Sequence, residues 1–195
     1  MFSIILPSYL GYYKGQASNP EEKLKRALDS VFAQSFTDFE LIVVSDGCDK
    51  TVEICEPYDL NLFKIPKQQI MSGTPRNVGI SKAQYDWIIY LDSDDVWGKD
   101  HLLKVQEGMC CTYKFFWYND WTVQKNEWTE RKCNVKVKGS CGTSNITHRR
   151  TLPIEWKDGY LHDWWFIKDL NRYEGKRIAT PEYFCCHIPG GKLDV

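Results

Sequence analysis

The chain has 195 residues and a mass of 22.9 kDa, the size of one domain. A hydrophobic share of 43 % and an aromatic share of 14 % exclude a disordered or fibrous chain. The net charge of −1 provides no global field toward nucleic acid or anionic membrane, so Lys136, Lys138 and His148-Arg149-Arg150 read as solvated basic surface.

Residues 2–6 form an apolar run closed by Pro7 and predict a first strand. After a loop rich in Gly, Tyr and Ser, Asn19 is placed to cap a helix with Pro20 at its first position and Glu21 and Glu22 in its first turn. Leu24, Ala27, Leu28, Val31 and Phe32 recur at the spacing of one buried helix face. Residues 39–44 predict a second strand, running into Ser45-Asp46-Gly47, and residues 60–65 a third. A short helix is expected over 74–83. A fourth, fully buried strand over 87–91 is followed at once by Asp92-Ser93-Asp94-Asp95.

The second half changes character. Residues 113–121 are densely aromatic and strand-like, and a polar hairpin is expected through Lys138. A strand over 143–147, a helix over 161–173 and a last strand over 182–186 complete the series. The alternation predicts an α/β fold, a Rossmann-type, mostly parallel sheet flanked by helices, with a smaller aromatic subregion. The expected organisation is one domain over 1–195, divided near residue 98.

Met1 leads directly into the first strand without a basic leader, and no apolar run approaches the roughly 20 residues of a membrane span. A cytoplasmic location is therefore expected. Eight cysteines occur without a single CxxC and without zinc-ribbon spacing, which predicts buried free thiols rather than disulfides or a zinc site.

Pro7-Ser8-Tyr9, Asp46-Gly47 and Asp92-Ser93-Asp94 all fall at the carboxyl edge of such a sheet, where doubly wound folds bind nucleotides. Three carboxylates closing a buried strand are costly unless a cation sits beside them. Hard oxygen ligands select Mg²⁺ or Mn²⁺, which commonly bridge carboxylates and substrate phosphates.

Four blocks, in matching order and spacing, carry a resemblance over nearly the whole chain. They are Ile4-Ile5-Leu6-Pro7-Ser8-Tyr9, residues 28–36 with residues 39–47, Pro75-Arg76-Asn77-Val78-Gly79-Ile80, and residues 87–95. The sequence resembles the family 2 glycosyltransferases of the GT-A fold. The resemblance implies a metal-dependent, inverting transfer of a sugar from a nucleotide-diphosphate donor, with UDP-sugar favoured, to an acceptor hydroxyl. Residues 1–98 would then bind the nucleotide sugar, and residues 99–195 would supply the acceptor side and a C-terminal lid.

By the same resemblance, Pro7 and Tyr9 would line the base pocket and Asp46 would hydrogen-bond the base or ribose. Arg76 would lie near the diphosphate, with Asn77 supporting its loop. Asp92 would face the ribose, and Asp94 would hold Mn²⁺ or Mg²⁺. Asp163 matches the family's general base, and a carboxylate at a helix start can be aimed at an acceptor hydroxyl. His187 would be a further metal ligand and Lys192 a phosphate contact in the closing tail. Ser45 and His162 stand where the family carries acids.

Two alternatives remain open in the residues themselves. One is a catalytically degenerate protein that only binds nucleotide or glycan. The other is a haloacid-dehalogenase-type phosphatase, because Leu91-Asp92-Ser93-Asp94-Asp95-Val96 also fits that strand-then-DxDxV motif. The acceptor is open among a glycan, a lipid-linked sugar, a protein, a small molecule and a modified nucleic acid.

Overall fold

The computed structural model describes residues 1–68, 72–188 and 193–195. Strands β1 (Phe2–Ser8), β2 (Phe39–Asp46), β3 (Asn61–Ile65) and β4 (Trp87–Tyr90) run parallel, β1 lying between β2 and β4. Helices α1 (Pro20–Phe32), α2 (Asp49–Cys55) and α3 (Gly73–Lys82) make the crossovers between them.

Beyond β4 come β5 (Val96–Trp97), α4 (His101–Gly108), β6 (Phe115–Trp117), β7 (Asp120–Gln124), β8 (Glu127–Arg131) and β9 (Ile146–Arg149). They are followed by α5 (His162–Leu170), β10 (Gly175–Arg177), β11 (Tyr183–Phe184), β12 (His187–Ile188) and β13 (Leu193–Asp194). The large sheet has the order β10-β6-β9-β4-β1-β2-β3, and within it only β9 runs against its neighbours. A second sheet has the order β5-β11-β7-β8.

Both faces of the large sheet are covered, which is why β1 reads as a continuous apolar run rather than an alternating one. Ile4 and Leu6 face one layer, packed with Leu24, Leu28 and Val31 of α1 and with Leu102 and Val105 of α4. Ile5 faces the other, in one cluster with Tyr90 and with Phe166 and Ile167 of α5. Leu28 is fully buried, so Leu28→Ala should cost about 2–5 kcal/mol and loosen α1 from the sheet. Gly79 lets α3 lie close on β1: a Cβ there would meet Ile5 Cγ2 at 2.6 Å.

The structure departs from the sequence expectations in several places. β1 continues through Pro7 to Ser8 instead of ending at Pro7, with Pro7 opposite Val44. Asn19 takes a left-handed conformation (φ 46°) and makes no side-chain capping hydrogen bond. Helices α2 and α4 were not anticipated, being only 7 and 8 residues long. The aromatic run over 113–121 splits into β6 and β7, which belong to different sheets. Residues 143–145 form a 3₁₀ turn before β9 rather than strand.

The expected hairpin is β7–β8, turning on Lys125 and Asn126 at φ 52° and 66°, the positive pair that suits a two-residue turn. The expectation of free thiols needs correction, because Cys133 and Cys141 form a disulfide with their Cα atoms 5.0 Å apart. A polar loop folded back on itself between them closes that distance without CxxC spacing. Cys55, Cys185 and Cys186 are free and buried, whereas Cys110 and Cys111 are exposed. No helix among the described residues is long and apolar enough to cross a membrane.

Candidate active site

Parallel pairing brings the ends of β1, β2 and β4 to one edge of the large sheet, with Ser8 opposite Ser45 and Ile5 opposite Tyr90. Pro7 is buried inside β1 and Tyr9 emerges half-buried beyond it. Asp46, at the end of β2, is almost fully buried and both its oxygens have partners. Oδ1 accepts the Gln68 amide N–H at 2.7 Å, and Oδ2 lies 2.6 Å from Lys67 Nζ. Ser45 is buried and turned into its own loop, its hydroxyl donating to the Cys48 carbonyl at 2.7 Å.

Arg76 projects from the first turn of α3 to the end of β4. Its Nη2 lies 2.7 Å from Asp92 Oδ1 in an ion pair in which the arginine side chain is 4 % exposed. Nη1 donates to Ser72 Oγ, and the guanidinium carbon stands 4.9 Å from the centre of the Trp156 ring. Asn77 fixes that tryptophan at its backbone, donating to the Trp156 carbonyl at 2.7 Å and accepting its N–H at 2.8 Å. Asn77 therefore braces the loop under Arg76. Both ends of its amide are occupied there.

Two residues on, Asp94 is desolvated, and burial followed by the neighbouring Asp92 carboxylate pushes it up to about 6. Burial and then Asp94 and Asp92 push the Tyr13 hydroxyl up to about 12, which marks that loop tyrosine as a neighbour of the acidic pair. Asp95 is structural in its contacts: it accepts from the Cys186 N–H at 2.7 Å and from the Tyr183 hydroxyl at 2.9 Å. A desolvated carboxylate beside a second one has the hard-oxygen chemistry that suits Mg²⁺ or Mn²⁺. Among the described residues, however, no three His, Cys, Asp or Glu side chains converge as a metal-binding group.

His187, expected as a metal ligand, is buried and hydrogen-bonded through one ring nitrogen. Its Nε2 lies 2.8 Å from the Gly15 carbonyl, an acceptor only, so Nε2 carries the proton and donates. Its Nδ1 is 3.6 Å from Asp194 Oδ1. The same Asp194 accepts the Ser18 N–H at 2.7 Å and pairs with the buried Lys23 of α1. His187 is thus a tether between the chain's tail and its first loop. Lys192 lies outside the described residues.

Asp163 occupies the second position of α5, and the residue preceding the helix is Leu161, so Asp163 is not the N-cap. Thr143 Oγ1 donates to Asp163 Oδ1 at 2.9 Å and holds the carboxylate at the wall of a cavity of about 200 Å³. Arg131, Ser140, Cys141, Leu161 and Trp164 share that wall. His162 lies between this cavity and the β4 edge. Burial lowers its pKa most; Arg76 adds to that, while the carboxylates of Asp163, Asp92 and Asp158 oppose it.

Lys67, Tyr13, Thr143 and Trp156 escaped the sequence reading, since none belongs to a recurrent motif. A lysine two residues past a strand end, or a tryptophan after Pro153, carries no local signal of its position in space.

A sequence-family profile described as "Glycosyl transferase family 2" matches residues 3–173. The chain is 36 % identical over 109 residues to the poly(ribitol-phosphate) beta-N-acetylglucosaminyltransferase TarS of Staphylococcus aureus, covering 52 % of this chain and 17 % of that protein. It is 30 % identical over 127 residues to the putative teichuronic acid biosynthesis glycosyltransferase TuaG of Bacillus subtilis, covering 61 % and 47 %. The chain therefore spans less than half the length of either relative. In three dimensions it matches S. aureus TarS 1-349 in complex with UDP-GlcNAc at a TM-score of 0.75 and 20 % identity, covering 97 % of this chain and 59 % of that one. It also matches the mannosyltransferase PcManGT from Pyrobaculum calidifontis, in complex with GDP-Man and Mn²⁺, at 0.67 and 13 %, covering 98 % and 58 %. The phosphatase alternative falls with these matches, because the DxD segment here follows the fourth strand inside the matched region.

Proposed function

Because this chain belongs to glycosyl transferase family 2 and has the GT-A fold, we propose that it moves a sugar from a nucleoside-diphosphate donor, UDP-sugar by preference, to an acceptor hydroxyl. The observation that carries this reading is the pair of buried Arg76 with half-buried Asp92, at the same sheet edge as Tyr9, Asp46 and Asp94. A cation and several carboxylates at the carboxyl ends of parallel strands form a site for a phosphate-bearing ligand and its counter-ion.

In this reading Pro7 and Tyr9 border the base, Asp46 faces the base or ribose, and Asp92 faces the ribose. Arg76 draws the diphosphate, with Asn77 keeping Trp156 in place beneath it, and Lys192 adds a phosphate contact. Asp94 would hold Mg²⁺ or Mn²⁺. That ion supplies neutralisation of the departing diphosphate. His187, whose Nε2 donates to the Gly15 carbonyl and whose buried Nδ1 makes no hydrogen bond among the described residues, would offer Nδ1 as a further metal ligand.

Asp163 takes the proton of the acceptor hydroxyl as its oxygen attacks the anomeric carbon. The bond from that carbon to the diphosphate oxygen breaks, and the configuration inverts. Residues 1–98 and 99–195 act together as one unit, with the Asp163 cavity on the acceptor side.

Calorimetric titration of the chain with UDP and GDP, with and without Mn²⁺, tests the donor site. Metal-dependent binding of one nucleotide is the expected result. The absence of any metal-dependent nucleotide binding would reduce the family relationship to one of fold. Ser45 and His162, in place of the expected acids, favour one second reading: binding without turnover. Donor hydrolysis or transfer by the purified chain decides between the two.

A further inference from the structure

Lys67 has no part in the reaction set out above, yet it occupies the centre of the proposed base site. It lies two residues past β3, next to the ends of β1 and β2. Its Nζ stands 4.0 Å from the centre of the Tyr9 ring, 2.6 Å from Asp46 Oδ2 and 2.6 Å from the Gln68 carbonyl. The Asp46 side chain is 6 % exposed and that of Lys67 40 %, so the carboxylate is the inner partner and the ammonium the outer one.

The backbone also fits this arrangement. Gly47 has φ +70°, and a Cβ at that position would come within 2.6 Å of the Lys67 nitrogen and Cβ. Any other residue at 47 would combine a strained conformation with a clash that pushes Lys67 away. Lys67 is therefore held by three strand ends and is not a wandering surface lysine.

An ammonium carries three donors and no acceptor, and an ionised carboxylate only accepts. Asp46 and Gln68 take two of the Lys67 hydrogens, and the third has no partner among the described residues. A base laid against Tyr9 meets a fixed acceptor beside a fixed donor. Uracil offers a ring N–H flanked by carbonyl oxygens, and guanine a ring N–H beside one. Cytosine and adenine carry a bare ring nitrogen next to an amino group. A carboxylate facing that ring nitrogen meets a lone pair, and an ammonium facing the amino group meets another donor.

We propose that Lys67 is a specificity-determining residue of the donor site, which together with Asp46 selects nucleoside diphosphates with a keto base edge over those with an amino edge. The assignment rests on the donor-site reading above. Asp46 supplies the acceptor, and Lys67 both neutralises it and presents the donor.

UDP and CDP, matched in size, are the probes. Each is titrated calorimetrically in the presence of Mn²⁺ into the full chain and into its Lys67→Met and Lys67→Arg variants, with a thermal melt to verify folding. The unaltered chain should bind UDP about ten- to a hundredfold more tightly than CDP, the discrimination given by one two-point base contact. Lys67→Met should bring the two within about threefold by weakening UDP, while Lys67→Arg keeps most of the preference. An unchanged ratio in Lys67→Met overturns the assignment. So does tighter binding of both nucleotides by that variant, which would make Lys67 a plug that ligands displace. Binding of neither nucleotide to the unaltered chain overturns the donor site itself, and this assignment with it.

Discussion

The guanidinium of Arg76 stands 4.9 Å from the centre of the Trp156 ring, and that indole is stacked at 3.8 Å on Phe166 of α5. One aromatic column thus runs from the helix that carries Asp163 to the arginine facing Asp92. The proposed nucleotide side and the proposed acceptor side share this brace.

Arg76→Lys tests that brace. Lysine keeps the charge but loses the planar contact with Trp156 and the forked hydrogen bonds. Affinity for a nucleoside diphosphate should fall about tenfold, measured by calorimetry, consistent with about 1–2 kcal/mol for a desolvated cation–aromatic contact. Equal affinity would mean that Arg76 does not touch the diphosphate.

Asp163→Asn preserves the hydrogen bond from Thr143 but cannot accept a proton. Transfer should drop by about 10²–10⁴-fold while UDP affinity stays within about twofold. A parallel loss of UDP binding would place Asp163 on the donor side instead.

Asp94→Asn should remove the dependence of nucleotide binding on Mn²⁺, as should chelation of the ion from the unaltered protein. Calorimetry with and without EDTA reads both. A metal dependence that survives in the variant would assign the ion to other residues.

Acid stability should report His148. It accepts from the Tyr90 hydroxyl at 2.7 Å, which in turn receives the Trp156 Nε1–H at 2.9 Å, and its own Nδ1–H donates to the Arg149 carbonyl at 2.9 Å. Burial lowers its pKa to about 4, from 6.5 when unfolded. The unfolded chain therefore binds the extra proton first, and this contribution to stability is present above pH 6.5 and lost as the pH falls toward 4. Between pH 7 and 4.5 the loss should be about 2 kcal/mol in urea unfolding. Asp94, raised to about 6, acts in the opposite sense, so the difference between the unaltered chain and His148→Gln isolates the histidine. If His148→Gln loses as much stability on acidification, the imidazole is not the titrating group.

The Cys133–Cys141 bond closes a loop with a sequence separation of 8, beside the cavity that Asp163 faces. The double variant Cys133→Ser, Cys141→Ser should be less stable by about 2–3 kcal/mol than the oxidised chain. A melt with and without reductant reads the same difference in the unaltered chain. Equal melts would mean that the bond adds nothing to the fold.

The four strands over residues 2–91 and the crossovers α1 and α3 were legible because burial on both faces writes continuous apolar runs, and each run ends in a polar turn at the same sheet edge. The family blocks lie in that half. Residues 99–195 were harder to read for physical reasons. Tyr118 and Asn119 are fully buried at a corner between two sheets, where the Asn119 carboxamide accepts the Cys133 N–H at 2.9 Å and donates to Glu130 at 2.7 Å. A corner held by one asparagine side chain has no periodicity. Lys67 and Trp156 likewise acquire their roles only when distant segments meet.

His187 and Asp194 grip the first loop and α1 through the Gly15 carbonyl, the Ser18 amide and the Lys23 ammonium, contacts separated by 172, 176 and 171 positions in the chain. At about 5–20 residues per second, a ribosome needs roughly 10–35 s to synthesise that interval. The first loop must wait for partners about 170 positions downstream before it is secured. A nascent chain can thus assemble β1 to β4 early and still lack a finished nucleotide side. The loop that carries Tyr9 and Tyr13 is secured only once His187 and Asp194 have been synthesised.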